Sequence, residues 1–316
     1  MHCIRALERG MTEGVHGLPL IGNGDWNDGM NRVGALGYGE SVWLAWFIIM
    51  VVDNFIPLCE RRGDFTGAEK YRKAADKYRA AIEEHGYDEE WYRRGYYDNG
   101  APLGSKESDE CKISLIAQAF SAIAGKNTVE NPRVRSAFEN VLTHLYDREY
   151  GLFKLFTPAF KDTIQEPGYI KGYPAGLREN GGQYTHAAVW GAIGLMQAGF
   201  VEQGTEILLS INPAHKCRYN RLADIYKNEP YALSGDVYSN PAHYGRGGWS
   251  LYTGAAAWFL RAVIEDIAGL KLFCDRLELS PALSDFIPEV ELYLRQGDSV
   301  YEFEITSKAS DKETEK

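Results

Sequence analysis

The sequence is short of the residues that build covalent or metal frameworks. Its five cysteines, Cys3, Cys59, Cys111, Cys217 and Cys274, are scattered and form no CxxC pair. That excludes a disulfide-stapled scaffold and a cysteine zinc site, and reads as reduced thiols in a soluble, cytoplasmic chain. The seven histidines are equally dispersed, with no HExxH and no other ligand spacing, so no metal is expected. There is no block of Lys or Arg, and the formal net charge is −10, which argues against nucleic acid as a partner. The longest apolar run, Val42 to Val52, is eleven residues and ends at Asp53. It is too short to span a bilayer and reads as a buried helix. The first residues carry no apolar signal-peptide core, and no fixed-period repeat marks a solenoid.

Apolar and aromatic residues are plentiful, 45% and 13% of 316 residues, enough for a large core. Ile4 to Met11 reads as the tail of a helix, so the chain is expected to begin inside a domain, as a fragment would. Helical periodicity predicts helices over about 40–62 and 66–85, the second with an inner stripe of Ala68, Tyr71, Ala74, Tyr78, Ala81 and Ile82. Further helices are expected at about 112–125, 131–146, 184–202, 203–211 and 250–268. From Lys271 the apolar period becomes two, as in strands (Val290, Leu292, Leu294; Val300, Phe303, Ile305). The charged residues 308–316 are expected to be disordered. Helical hairpins separated by long loops predict a mainly α fold: a partial α/α toroid over 1–270, then a β segment over 271–307.

Three loops carry polar groups suited to chemistry. In Gly22 to Tyr38, Asp25 and Asp28 flank Trp26 and Asn27, and Arg32 follows four residues later. An indole, an amide and an acid in a row suit a sugar, by stacking, hydroxyl bonding and proton transfer; equally, the two acids suit capped turns. In Tyr169 to Trp190, Lys171, Arg178, Glu179, Asn180, Gln183, Thr185 and His186 crowd a Gly-rich turn that opens a helix. A helix N-terminus suits an anion; a lone His is more often a buried one bonded to a backbone carbonyl, and the packed polar neighbours of His186 move it towards function. In Glu229 to Gly254, Thr253-Gly254 opens another helix, Trp249 and its tyrosines are candidate walls of a sugar subsite, and Asp236 and Arg246 read as either an ion pair or ligand contacts. Glu107, Asp109 and Glu110 read as acids near the positive end of a helix.

The stretches HGLPLIGNGDWNDGMNRVG with GESVWLAWF (16–34 and 39–47), GYIKGYPAGLRENGGQYTHAAVW (168–190) and EPYALSGDVYS with GRGGWSLYTGAAAWFLR (229–239 and 245–261) together resemble glycoside hydrolase family 94, the inverting glycoside phosphorylases. The likeness extends to the C-terminal phosphorylase-like region of cyclic β-1,2-glucan synthases and covers nearly the whole chain. It implies an (α/α)6 barrel between β-sandwich domains, with the N-terminal part of the barrel missing here and a C-terminal sandwich begun. Carried over by position, Asp28 matches the general acid, and Arg32, His186, Thr253 and Gly254 match the phosphate pocket. Trp26, Asn27, Asp25, Arg178, Glu179 and Gln183 are implied substrate contacts. The implied reaction is inverting phosphorolysis of a β-glucan, β-1,2-linked, to α-glucose 1-phosphate, with inorganic phosphate as co-substrate and no cofactor. The alternatives are a non-catalytic carbohydrate-binding remnant of a larger glucan synthase and an inverting hydrolase. The resemblance also brings two expected partners, a second copy in a homodimer and the remainder of a membrane-bound synthase.

Overall fold

The computed structural model describes residues 2–273 and 276–307. Among the described residues there are ten α-helices: α1 (His2–Gly10), α2 (Val42–Arg61), α3 (Phe65–Ala81), α4 (Leu115–Ile123), α5 (Pro132–His144), α6 (Thr185–Gln197), α7 (Val201–Ile211), α8 (Pro213–Lys216), α9 (Asn220–Tyr226) and α10 (Thr253–Arg261). The start and stop of α2 follow from local chemistry. The Ser41 hydroxyl accepts the Leu44 amide at 2.9 Å, and Gly63, at φ 73°, supplies the left-handed turn after Arg62. Asp64 then caps α3 through the Gly67 amide at 2.8 Å. With three residues between them, α2 and α3 run antiparallel.

The helices pack in two layers. α2, α4, α6 and α10 lie side by side in that order, and α3, α5 and α7 back α2, α4 and α6 from outside. This is the paired-helix arrangement of an α/α toroid. Each outer helix leads to the next inner helix through a long segment (82–114, 145–184 and 212–252), and these segments collect on one rim at the inner N-termini. α2 is long and apolar enough to cross a membrane by length and composition, yet it packs between α3 and α4 with Trp43, Trp46, Ile49 and Val52 in the core. Each such side chain contributes about 1.5–3 kcal/mol by burial.

An aromatic floor underlies the rim. Trp190 of α6 meets Phe120 of α4 at 5.0 Å, Trp258 of α10 at 5.6 Å and Trp26 of the first loop at 5.3 Å between ring centroids. Trp43 of α2 joins Phe120 at 5.4 Å. After a π-helical turn at Ala262–Ile267 the chain forms two antiparallel ribbons, Leu270–Leu272 with Leu277–Leu279 and Glu289–Gln296 with Ser299–Thr306. They belong to separate two-stranded sheets, and this is all that the described residues hold of the expected β-sandwich. Cys274 and the tail 308–316 lie outside the described residues.

Several expectations are corrected. The break after α6 falls at Gly199, φ 88°, and not at 202, because that left-handed position ends the helix before Val201 restarts it. Between the helices expected at 203–211 and 250–268, where no helix is expected, the chain forms α8 and α9. Ala75, not Ala74, faces the α3 core. The helix expected from 112 starts at Leu115, since Ile113–Ser114 is extended and pairs with Phe156–Thr157.

Candidate active site

The first loop is held by its first acid. The Asp25 side chain is buried, paired with the Arg94 guanidinium, and accepts the Ser41 hydroxyl at 2.7 Å and the Asn27 amide at 3.1 Å. It therefore ties the loop to the start of α2 and does not face a ligand, which corrects its expected role as a sugar contact. Asn27, also buried, uses its Oδ1 to accept the Gly29 amide at 3.1 Å and shapes the 3-10 turn Asp28–Met30. Asp28 opens that turn and is exposed.

The second loop docks on this turn. The Asn31 side chain accepts the Tyr169 amide at 3.1 Å, and the Arg32 amide donates to the Pro167 carbonyl at 3.2 Å. Gly168, at φ 118°, permits the approach, because a Cβ there would meet Asn31 Oδ1 at 2.2 Å. Tyr169 is thereby set beside Asp28. Burial first, and then the neighbouring Asp28 carboxylate, push its hydroxyl pKa up to about 12. The phenol stays protonated and available as a donor.

Further along, Arg178 adopts φ 50°, its amide donating to Asp236 Oδ2 at 2.8 Å. Its guanidinium lies over the rings of Trp249, at 4.6 Å, and Tyr173, at 5.1 Å. Asp236 thus serves Arg178; Arg246 is exposed and makes no ion pair with it, so the ion-pair reading of these two residues does not hold. Burial pushes the Asp236 carboxyl up. Glu179 is largely buried with its Oε2 unpartnered by a hydrogen bond, and its charge helps hold the Tyr184 hydroxyl pKa far above the ordinary value, after burial. Gln183 points inward: 1% exposed, it accepts the Phe153 amide at 2.9 Å, so it braces the loop and is not the sugar contact expected. Asn180 is likewise consumed, by the backbone of Phe160 and Tyr173.

His186 sits in the first turn of α6. Its ring lies 4.2 Å from Trp190, 5.8 Å from Trp26 and 6.3 Å from Trp258. Burial pushes its pKa down to about 4, so it is neutral at pH 7, and its Nε2 has no hydrogen-bond partner; nor has the Thr185 hydroxyl. The reading of His186 as a ring satisfied by a backbone carbonyl finds no such bond at Nε2. α4, α6 and α10 all begin without a side-chain cap, which leaves amides free at the rim. One segment fixes two of these starts. Thr185 N donates to Gly235 O at 2.9 Å, Gly235 N to Trp249 O, and Tyr252 N to Leu233 O at 3.3 Å. Thr253 and Gly254, both exposed, open α10, and Trp258 follows Gly254 one turn later.

Arg32 is exposed and lines an open cleft of about 800 Å³ with Tyr169, Glu166 and Asp98. The described contacts bring it to Tyr169; none joins it to His186 or Thr253. The third acidic group is elsewhere: Glu110 accepts the amides of Lys161, Asp162 and Thr163 at 2.7, 2.9 and 3.1 Å, clamping a loop and not capping α4. Sequence reasoning missed Tyr169 and Tyr184, which flank Asp28 and Glu179; the density of tyrosine in 169–184 was the available signal. Arg94 gave none, being 69 residues from Asp25.

The family model described as "Glycosyl hydrolase 94 superfamily, catalytic domain" matches residues 1–269. The cyclic beta-(1,2)-glucan synthase NdvB of Rhizobium meliloti (strain 1021) is 40% identical over 306 residues, 96% of this chain and 11% of that protein. The 3-O-beta-D-glucopyranosyl-beta-D-glucuronide phosphorylase of Paenibacillus borealis is 27% identical, covering 92% of this chain and 37% of its own. A cellobionic acid phosphorylase of Neurospora crassa is 28% identical, covering 84% and 34%. A solved structure described as a sialidase aligns with a TM-score of 0.61 and 12% identity over 92% of this chain and 26% of its own, a likeness of fold alone. The chain thus spans between about a tenth and just over a third of its curated relatives. With the matched region covering all ten helices and the three rim loops, the chain belongs to the glycosyl hydrolase 94 superfamily.

Proposed function

We propose that this chain carries the catalytic rim of an inverting glycoside phosphorylase acting on β-glucosidic bonds, β-1,2-linked glucan first among them. The observation that carries the reading is the meeting of Trp26 and His186, 5.8 Å apart. It joins the loop of the candidate acid to the uncapped start of α6. In the proposed step Asp28 gives its proton to the glycosidic oxygen, with Tyr169 orienting the carboxyl. Phosphate attacks the anomeric carbon from the opposite face and gives α-glucose 1-phosphate. An inverting hydrolase needs a second carboxylate to activate water, and Asp25 is committed to Arg94. A phosphorylase instead needs donors for an anion. The His186 ring N–H, the Thr185 and Thr253 hydroxyls and the first amides of α10 would supply them, and Arg32 would add charge once it swings from its cleft. Trp249, Tyr173 and Arg178 would wall the sugar subsite.

The four inner helices read as part of an (α/α)6 ring whose remaining helices lie in the parts of the relatives that this chain does not span. This favours a second reading, a carbohydrate-binding unit without turnover. The test is α-glucose 1-phosphate release from β-1,2-glucan by this chain, by Asp28→Asn and by a version extended to the relatives' length. Phosphate-dependent release that disappears in the extended Asp28→Asn protein supports the proposal. Equal release with and without Asp28 overturns the acid, and equally fast glucose release without phosphate overturns the phosphorylase.

A further inference from the structure

A cavity of about 290 Å³ opens between the end of α7, the short helices α8 and α9 and the turn 146–151, outside the candidate active site. Its volume is at the lower end of the roughly 300–1,000 Å³ common for small-molecule pockets, which suits one sugar-sized ligand and not a chain. Tyr146, Tyr150, Tyr226, Leu222 and Phe286 line it, and so do Lys216, His215 and Ser210.

Lys216 is the unusual member. It is 7% exposed, and its Nζ donates only to the carbonyls of Tyr150, at 3.2 Å, and Gly151, at 3.0 Å, with the Tyr226 ring at 6.0 Å. No described carboxylate pairs with it. Of the two acids at the cavity, Glu206 is held by Arg148, at 2.8 Å, and by the Tyr146 hydroxyl, at 3.2 Å, while Glu149 is exposed. Burial lowers the Lys216 pKa to about 8, and the amine remains mostly cationic at neutral pH. A buried charge without an opposite partner is costly. An oxyanion in the cavity would offset that cost through a charge-assisted hydrogen bond. The tyrosine rings beside it offer flat faces for a sugar ring.

We propose that this cavity is a second ligand site, for a single sugar unit bearing a carboxylate or a phosphate, with Lys216 as the partner of the anion. It is independent of the phosphorylase reading, since it shares no residue with that site.

The probes are glucuronate, α-glucose 1-phosphate, glucose and inorganic phosphate, titrated calorimetrically into wild type, Lys216→Met and an Asp28→Asn/His186→Ala protein. At least one acidic sugar binds wild type and the double variant alike, and binds Lys216→Met at least tenfold more weakly. Which acid binds separates the carboxylate from the phosphate. To guard against misfolding of Lys216→Met, brief acetylation of wild type is read by peptide mass; the bound sugar slows labelling of Lys216 at least fivefold. Unchanged labelling at saturating probe, or equal binding by a folded Lys216→Met, overturns the site. In the double variant, inorganic phosphate binding as tightly as the sugar phosphate overturns the sugar specificity.

Discussion

Asp25 and Arg94 form an ion pair whose side chains are 0% and 1% exposed, in a loop whose other acid, Asp28, is open to solvent. Two aspartates three residues apart therefore have opposite duties. Removing Asp25 strands a guanidinium in the core, so Asp25→Ala is expected to cost about 3–5 kcal/mol, measured by chemical denaturation. A loss below about 1 kcal/mol would contradict the buried pair.

Asp28→Asn behaves in the reverse manner. With its carboxyl exposed, the substitution is expected to leave the denaturation midpoint unchanged. In the extended enzyme it lowers glucose 1-phosphate formation by about 10²–10⁴, the usual worth of a general acid. A shifted midpoint with full activity would show that the assignments of the two acids are exchanged.

His186 sets an acid limit on stability. Its folded pKa of about 4 lies below the ordinary 6.5. The neutral ring is thus favoured by folding, and its contribution is complete above about pH 6.5 and is lost as pH falls towards 4. The loss is of the order of one or two kcal/mol, allowing for partial solvent screening. His186→Gln is expected to flatten this limb of the stability–pH curve. Phosphate bound at α6 would favour the charged ring and move its NMR titration midpoint upward, and an unmoved midpoint at saturating phosphate would remove His186 from the anion site.

Gly168→Ala probes the docking of the two loops. A Cβ would press on Asn31 Oδ1 at 2.2 Å from a backbone at φ 118°, a strain of about 1–3 kcal/mol. The expected result is faster hydrogen exchange at the Tyr169 and Arg32 amides, which are bonded across this contact, with α2 and α3 unaffected. Protection equal to wild type would show that the loops do not depend on that approach.

Much of the helical frame was legible because it is written locally. Ser41, Gly63 and Asp64 punctuate α2 and α3, and the apolar stripe needs only the neighbouring turns. The short α8 and α9 were not legible, since helices of four and seven residues form by packing and not by propensity. In the site, Asp28, Trp26 and His186 stood out by residue type. The fates of Gln183 and Asn180 did not, because an amide that bonds a sugar and one that satisfies the backbone of Phe153 or Phe160 look alike in a sequence. The partner decides, and the partner is distant along the chain.

The segment 233–237, extended at Asp236–Val237, has a mechanical consequence. It is hydrogen-bonded to the first residue of α6 on one side and to the residue before α10 on the other. It acts as a crossbar, so neither helix start can shift without carrying its neighbour. Whatever ligand orders one of them orders both, and a substitution in this segment, remote from any reacting atom, would blunt both ends of the rim at once.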